Sequence, residues 1–223
     1  MPRVLPLEKI VVLDNPYLGY LLSILRSRTT ARDVFRCVLE ELAMFMAYEI
    51  ARELPTRVIE VETPLGVAQG VEVLDSSVVI VAILRAGIPM LNGMLRVLKR
   101  ARVGFISAKR IEDEAHTMSF EVETKYISLP TIDSSNTVVI VDPMLATAST
   151  MCRAIDIVAQ YKPRNIIIAN VIAAKQGIEN LKRCTSSIDV PIHLYTLSID
   201  PELNDRGFIV PGLGDAGDRA YTL

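Results

Sequence analysis

The chain has no tryptophan, only three cysteines and two histidines, and aromatic residues make up 5% of its 223 positions. Cys37, Cys152 and Cys184 are far apart and form no CxxC pair. That excludes a zinc ribbon or a dithiol redox motif and leaves a buried free thiol as the reading for each. His116 and His193 are too few for a multi-histidine metal centre, and no GxSxG serine accompanies them, which excludes the common hydrolase triad. Neither sign of charge dominates: 24 basic against 26 acidic side chains leave a net charge of −2. The chain therefore has no global basic field with which to neutralise the phosphates of a long nucleic acid. Long hydrophobic runs are missing as well. Stretches such as residues 78–84 fall far short of the roughly 20 residues of a membrane helix, and residues 1–8 lack a signal-peptide core. These absences predict a soluble, cytoplasmic protein with no membrane and no nucleic-acid partner. Half of the residues are hydrophobic and 22% are charged, which is too apolar for disorder and enough for the core of a single domain spanning 1–223.

Periodicity supplies the elements. Phe35, Val38, Leu42, Met46 and Ile50 recur at three- and four-residue steps, with Arg36, Glu40 and Arg52 between them, which predicts an amphipathic helix over 31–54. Thr30 and Asp33 are its expected N-terminal cap and Pro55 its stop. A shorter helix is predicted over 17–26. Residues 57–62 and 69–74 alternate around Thr63-Pro64-Leu65-Gly66, the pattern of a β-hairpin. Unbroken β-branched runs follow at 78–84, 137–141 and 165–171, as in strands buried on both faces, and helical patterns over 87–99 and 147–161 alternate with them. Further strands are expected at 102–107 and 191–197 and a helix at 174–183. The fold class is α/β, an open, mostly parallel sheet with helices on both faces. Between about 109 and 135 the chain turns polar, with Glu112-Asp113-Glu114 ahead of an alternating stretch at 119–129. That segment is read as a mobile β-arm.

Open parallel sheets hold ligands beyond the carboxyl ends of their strands, and three loops there carry suitable chemistry. After residues 78–84 comes Arg85-Ala86-Gly87, where a permanent cation beside a glycine suits an anion, or else caps a helix or pairs with a carboxylate. After 137–141 comes Asp142-Pro143-Met144-Leu145-Ala146-Thr147-Ala148-Ser149-Thr150. Small residues open a helix there, so free amides, the helix dipole and three hydroxyls suit phosphate; the alternative is a helix capped by its own Thr and Ser. No GxxxxGK[ST] occurs, so a Walker A loop is excluded. The third loop, about 205–220, holds a literal GxGxxG at Gly212, Gly214 and Gly217. It lacks the βαβ context of a dinucleotide fingerprint, which disfavours an oxidoreductase. Its amides and carbonyls suit a flat polar molecule met edge-on, the alternative being a solvated turn in which Asp218 and Arg219 pair with each other.

The segments VETPLG (61–66), ILRAGIPM (83–90), VDPMLATAST (141–150), IDPELN (199–204) and IVPGLGDAGDRA (209–220) resemble the uracil phosphoribosyltransferase family, its archaeal-type members most, over nearly the full length. The resemblance implies a type I phosphoribosyltransferase-like sheet with a β-arm or hood. The implied reaction is transfer of ribosyl phosphate from phosphoribosyl pyrophosphate to uracil, giving UMP and pyrophosphate. It assigns Asp142, Pro143, Met144, Leu145, Ala146, Thr147, Ala148, Ser149 and Thr150 to the donor's ribose and 5′-phosphate, and Arg85 and Arg110 to its pyrophosphate. It assigns Ile209, Gly214, Asp215 and Ala216 to uracil, with Asp215 also facing the donor, and it makes Asp142, Asp215 and Arg110 the catalytic set. Mg²⁺ is implied as cofactor, carried mainly by the donor's pyrophosphate rather than by protein ligands. A homo-oligomer, dimer or tetramer, and a GTP effector are implied too. Ala148-Ser149 stands where many bacterial members have Gly-Gly. Pro143 after Asp142 removes the paired acids of purine and orotate enzymes. A phosphoribosyltransferase-fold RNA-binding regulator of pyrimidine genes is the alternative, and the charge balance counts against it.

Overall fold

The computed structural model describes residues 7–110 and 122–222. Its first elements in chain order are β1 (Leu7–Val12), α1 (Pro16–Arg26), α2 (Arg32–Ile50), β2 (Thr56–Thr63), β3 (Gly66–Val73), β4 (Val78–Ile83), α3 (Ile88–Val97), β5 (Arg102–Arg110), β6 (Val122–Ser128) and β7 (Thr137–Val141). There follow β8 (Met144–Leu145), α4 (Ser149–Ala159), β9 (Asn165–Ala169), β10 (Ile172–Ala174), α5 (Lys175–Thr185), β11 (Ile192–Thr196), β12 (Ser198–Asp200), β13 (Glu202–Leu203), β14 (Ile209–Val210) and α6 (Ala216–Tyr221).

Seven strands form the central sheet in the order β1-β11-β9-β7-β4-β5-β6. Every neighbouring pair is parallel except β5 and β6. Strands β4 and β7 are buried along their whole length, because β-branched side chains fill both faces. Val78, Ile80 and Ala82 point into one core with α1, α2 and α3, while Val79, Val81 and Ile83 point into the other with α4 and α5. One uninterrupted apolar run thus serves two layers, which is why it lacks alternation. The expected α/β class and each expected strand and helix of the sheet are present, with ends shifted by a few residues.

Three short strands, β8, β10 and β12, make a second parallel sheet in the order β12-β10-β8. They extend the chain just past β7, β9 and β11, so the loops at that edge are tied to one another. The predicted hairpin is β2–β3, closed in register from Thr56 opposite Val73 to Thr63 opposite Gly66. It stands off the body across a cleft of about 510 Å³ lined by Ile59, Val71, Val97 and Leu98 among others. Within the expected arm, β6 pairs antiparallel with β5, from Phe105 opposite Ser128 to Arg110 opposite Val122. The rest of that arm, with Glu112-Asp113-Glu114 and His116, lies outside the described residues. Among the described residues no helix is long and apolar enough to cross a membrane.

Several local expectations need correction. Thr30 does not cap α2: its hydroxyl donates to the Ile24 carbonyl at 2.5 Å, and the N-cap is Ala31 with no capping side chain. The hydroxyl instead ties the turn back to α1. Cysteines 152 and 184 are not free thiols but a disulfide between α4 and α5, and Cys37 is exposed rather than buried. Packing of the two helices against each other brings together residues whose spacing of 32 carries no motif.

Candidate active site

The strand order reverses between β4 and β7. From β4 the chain steps outward to β5 and β6, then returns to β7 and proceeds the other way to β9 and β11. The crevice beyond such a reversal is where an open sheet seats a ligand, and two of the three candidate loops leave from these two strand ends. The first turns at Leu84–Arg85, a cis peptide, and carries the Arg85 side chain outward, 58% exposed. Gly87 lets this turn press on the end of β7. A Cβ at Gly87 would stand 2.5 Å from the Val141 carbonyl oxygen, so any larger residue would drive the two strand ends apart.

The second loop is held from below. The Asp142 amide donates to the Ala169 carbonyl at 3.2 Å, the Asp142 carbonyl accepts from the buried Asn170 amide group, and the carboxylate accepts from the Met144 amide at 3.4 Å. The Pro143 carbonyl accepts from Val171 and Ile172 at 3.0 and 3.1 Å, and Met144 and Leu145 form β8. Ala146, Thr147 and Ala148 are buried. Ala148 turns through a φ of 68° and serves as N-cap of α4 without a side-chain bond. The first closing bond of that helix runs from Cys152 to Ala148 at 2.8 Å, so the amides of Ser149, Thr150 and Met151 face out of its end. The self-capping alternative amounts to one 3.5 Å contact from the Ser149 amide to Thr147 Oγ1, at the outer limit of a hydrogen bond. Free amides, the positive end of an eleven-residue helix and the Thr147 and Ser149 hydroxyls 3.1 Å apart make a seat for an anion.

The third loop leaves β14 through a cis Val210–Pro211 bond and turns at Gly212 and Gly214, with φ of 60° and 78°. It is anchored by a pair that the sequence reading gave no role. Asp200, 3% exposed, accepts from Arg26 at 2.6 and 2.7 Å, from Ser198 Oγ at 2.8 Å and from the Gly212 amide at 2.9 Å. Burial pushes the Asp200 carboxyl up, but these donors outweigh it and hold the group below its ordinary 3.8. Arg26 also donates to the Gly212 carbonyl at 2.8 Å. Arg219 does not pair with Asp218 as the solvated-turn alternative supposed. Its guanidinium lies 4.4 Å from the centre of the Phe35 ring and donates to the carbonyls of Leu25, Leu213 and Ser27. A half-buried planar cation fits there because three carbonyls and a ring face replace part of its water.

Asp215 caps α6, its carboxylate accepting from the Asp218 amide at 2.9 Å. The Asp218 carboxylate lies 3.8 Å from Arg85 and accepts from Thr222 Oγ1 at 2.8 Å. The first and third loops therefore stand side by side. Ile209 and Ala216 are buried, while Gly214 and Asp215 are exposed. Arg110 is the last residue of β5. Arg26, Asp200 and Asn170 went unassigned in the sequence, and Arg219 was read only as a partner of Asp218, because each works through contacts with distant segments; Asp200, inside IDPELN, and Arg219, inside IVPGLGDAGDRA, lay in motifs.

Comparison with known proteins bears on this arrangement. A protein named uracil phosphoribosyltransferase from Sulfurisphaera tokodaii is 44% identical over 215 residues, covering 94% of this chain and 98% of that protein. One of the same name from Pyrobaculum islandicum is 43% identical over 213 residues, covering 95% and 98%. Among solved structures, that of the AQ2163 protein from Aquifex aeolicus matches with a TM-score of 0.86 at 32% identity, over 96% of this chain and 98% of that one. The family model described as uracil phosphoribosyltransferase matches residues 12–222, and with the three loops arranged as they are, the chain belongs to the uracil phosphoribosyltransferase family.

Proposed function

We propose that the protein transfers the phosphoribosyl group of phosphoribosyl pyrophosphate to uracil, releasing UMP and pyrophosphate. The observation that carries the reading is the meeting of three loops beyond the carboxyl ends of the strands: an anion seat at the start of α4, an exposed arginine at the end of β4 that faces Asp218, and a glycine turn beside it. In this reading the Asp142–Thr150 loop takes the ribose and 5′-phosphate. Arg85 and Arg110 neutralise the pyrophosphate as it leaves, and the main chain at Ile209, Gly214 and Ala216 reads uracil's alternating carbonyl and N–H edge. Fixed backbone donors and acceptors disfavour cytosine, whose exocyclic amino group would leave buried partners unpaired. Asp215 faces the donor sugar, where a negative charge stabilises a developing ribosyl cation.

Mg²⁺ fits as a passenger of the donor. Among the described residues no cluster of three or more His, Cys, Asp or Glu side chains forms a cage, whereas Asp142 and Asp215 offer the single hard oxygen ligands that accompany a phosphate-bound Mg²⁺. When bound, the ion neutralises charge on the departing pyrophosphate. A homo-oligomer, dimer or tetramer, is part of the proposal and is supported by the hairpin, where Val58, Leu65, Val67 and Val71 are all at least 70% exposed, an apolar arm that a second copy would cover. A GTP effector is carried with it from the family.

The test is UMP formation from phosphoribosyl pyrophosphate with uracil, cytosine, hypoxanthine and orotate, each with and without GTP, and light scattering for the assembly. Uracil alone is expected to react. Comparable turnover of a purine, or none of uracil, overturns the reading.

A further inference from the structure

Helix α5 bears on the donor-phosphate loop at two places, and on the helix that the loop opens at a third, all along one of its faces. Gly177 lies under the loop so closely that a Cβ there would stand 2.2 Å from the Ala146 carbonyl oxygen. One turn on, Asn180 donates to the Thr147 carbonyl at 3.0 Å. Another turn on, Cys184 is bonded to Cys152, with the two Cα atoms 6.1 Å apart. Steps of three and four residues keep these contacts on a single helical face. On the other side, Cys152 is the residue whose amide makes the first closing bond of α4, to Ala148 at 2.8 Å. The sulfur bridge therefore sits one turn behind the amides that face the anion, at the end of α4 that does the binding.

We infer that α5 and its disulfide position the donor-phosphate loop, so that donor affinity responds to the redox state of Cys152 and Cys184. The inference rests on the proposed role of that loop in holding the donor. An anion seat built from a few backbone amides depends on their relative placement, and misplacement by about 1 Å is enough to cost much of an oriented interaction. With the bridge closed, α4 cannot slide along α5. With it open, the Gly177 and Asn180 contacts remain, and only packing holds the first turn of α4. Both cysteines are half-buried, so a small dithiol reaches them. Thiolate attack breaks the S–S bond, two cysteine thiols form, and the dithiol gives up two electrons and two protons to close its own disulfide.

The test uses the full chain with Cys37→Ser, which removes the exposed free thiol and leaves the pair as the sole source of titratable thiols. Oxidised and dithiothreitol-reduced forms are compared at a temperature where circular dichroism shows both folded. The expected result is a rise of about five- to tenfold in KM for phosphoribosyl pyrophosphate on reduction, reversed on reoxidation, while kcat and KM for uracil stay within about twofold. Amide exchange in the first turn of α4 is expected to quicken in the ligand-free reduced form. Asn180→Ala, with the bridge intact, should move donor KM the same way, and Cys152→Ala with Cys184→Ala should match the reduced form. Unchanged donor KM with a lower melting temperature would make the bridge a stabilising tie only and overturn the inference. So would equal losses in donor KM, uracil KM and kcat. If the oxidised protein forms no UMP, the proposed function fails, and amide exchange alone then decides: no change on reduction overturns the inference.

Discussion

Asp215 has one observed duty and one proposed duty, which a single substitution separates. Its carboxylate caps α6, and Asn caps a helix about as well as Asp, so Asp215→Asn keeps the fold while removing the charge. The expected outcome is an unchanged melting temperature and a fall of at least about tenfold in kcat/KM, roughly 1.4 kcal/mol of transition-state stabilisation. Kinetics equal to the parent at limiting and saturating donor would leave capping as its whole role. Ala148 presents a balance of small terms. The left-handed conformation of an L-residue costs about 1 to 2 kcal/mol. Glycine would relieve that but give up a buried methyl worth about 0.8 kcal/mol and roughly 0.4 to 1 kcal/mol of unfolded-chain entropy. Ala148→Gly should therefore shift stability by less than about 1 kcal/mol, whereas Ala148→Val, β-branched at a φ of 68°, should lose at least about 2 kcal/mol. Denaturant unfolding of both variants decides it. Chemistry of this kind was legible in the sequence as residue type: glycines, hydroxyls and a strand-end acid mark the loops. The disulfide was not, since two cysteines declare a bond only when the fold sets their Cα atoms within bonding reach.

Among the elements, those with internal pattern were legible and those made by pairing were not. The runs at β4, β7 and β9 announce themselves because each strand buries both faces, and α2 because its apolar stripe repeats. Strand β1 escaped notice because Leu7–Val12 mixes Glu8 and Lys9 into an edge position that is largely exposed. The two- and three-residue strands β8, β10 and β12 have no periodicity at all; their reason lies in the strands they continue. The same holds for the anchor of the glycine-rich loop proposed to read uracil, where Arg26 at the end of α1 meets Asp200 in β12. Removing one partner from a buried pair strands the other charge. Asp200→Ala should thus destabilise the protein by about 2 to 3 kcal/mol, less than a fully enclosed pair because Arg26 keeps some contact with water. It should also raise KM for uracil more than KM for the donor, since Gly212 loses its clamp. Equal changes in the two KM values would show that the pair supports the fold without setting the loop.

For the molecule as a whole, acid is the revealing stress. Burial raises the Glu53 carboxyl, yet bonds from Lys9, Tyr195 and His193 outweigh that and hold it below its ordinary 4.5. Asp75 behaves likewise, with Arg100 overcoming burial, as does Asp200. A carboxylate depressed in the folded state contributes stability that is complete above its ordinary value and is lost as pH falls through the folded one. The melting temperature should hold between pH 7 and about 5 and decline below about pH 4, as these three groups take up protons that the unfolded chain already binds. A flat profile down to pH 3 would show that the three sites contribute nothing net. Glu53 also joins β1 and β11 through Lys9 and Tyr195, strands whose register sets Leu7 opposite Ile192. During synthesis the amino-terminal strand leaves the ribosome long before the strand it must lie against, and the chain between them has to emerge first. The sheet can close at that edge only after Ile192–Thr196 has emerged, so an early β1 waits with its pairing groups open, at the stage when a nascent chain is most exposed to wrong partners.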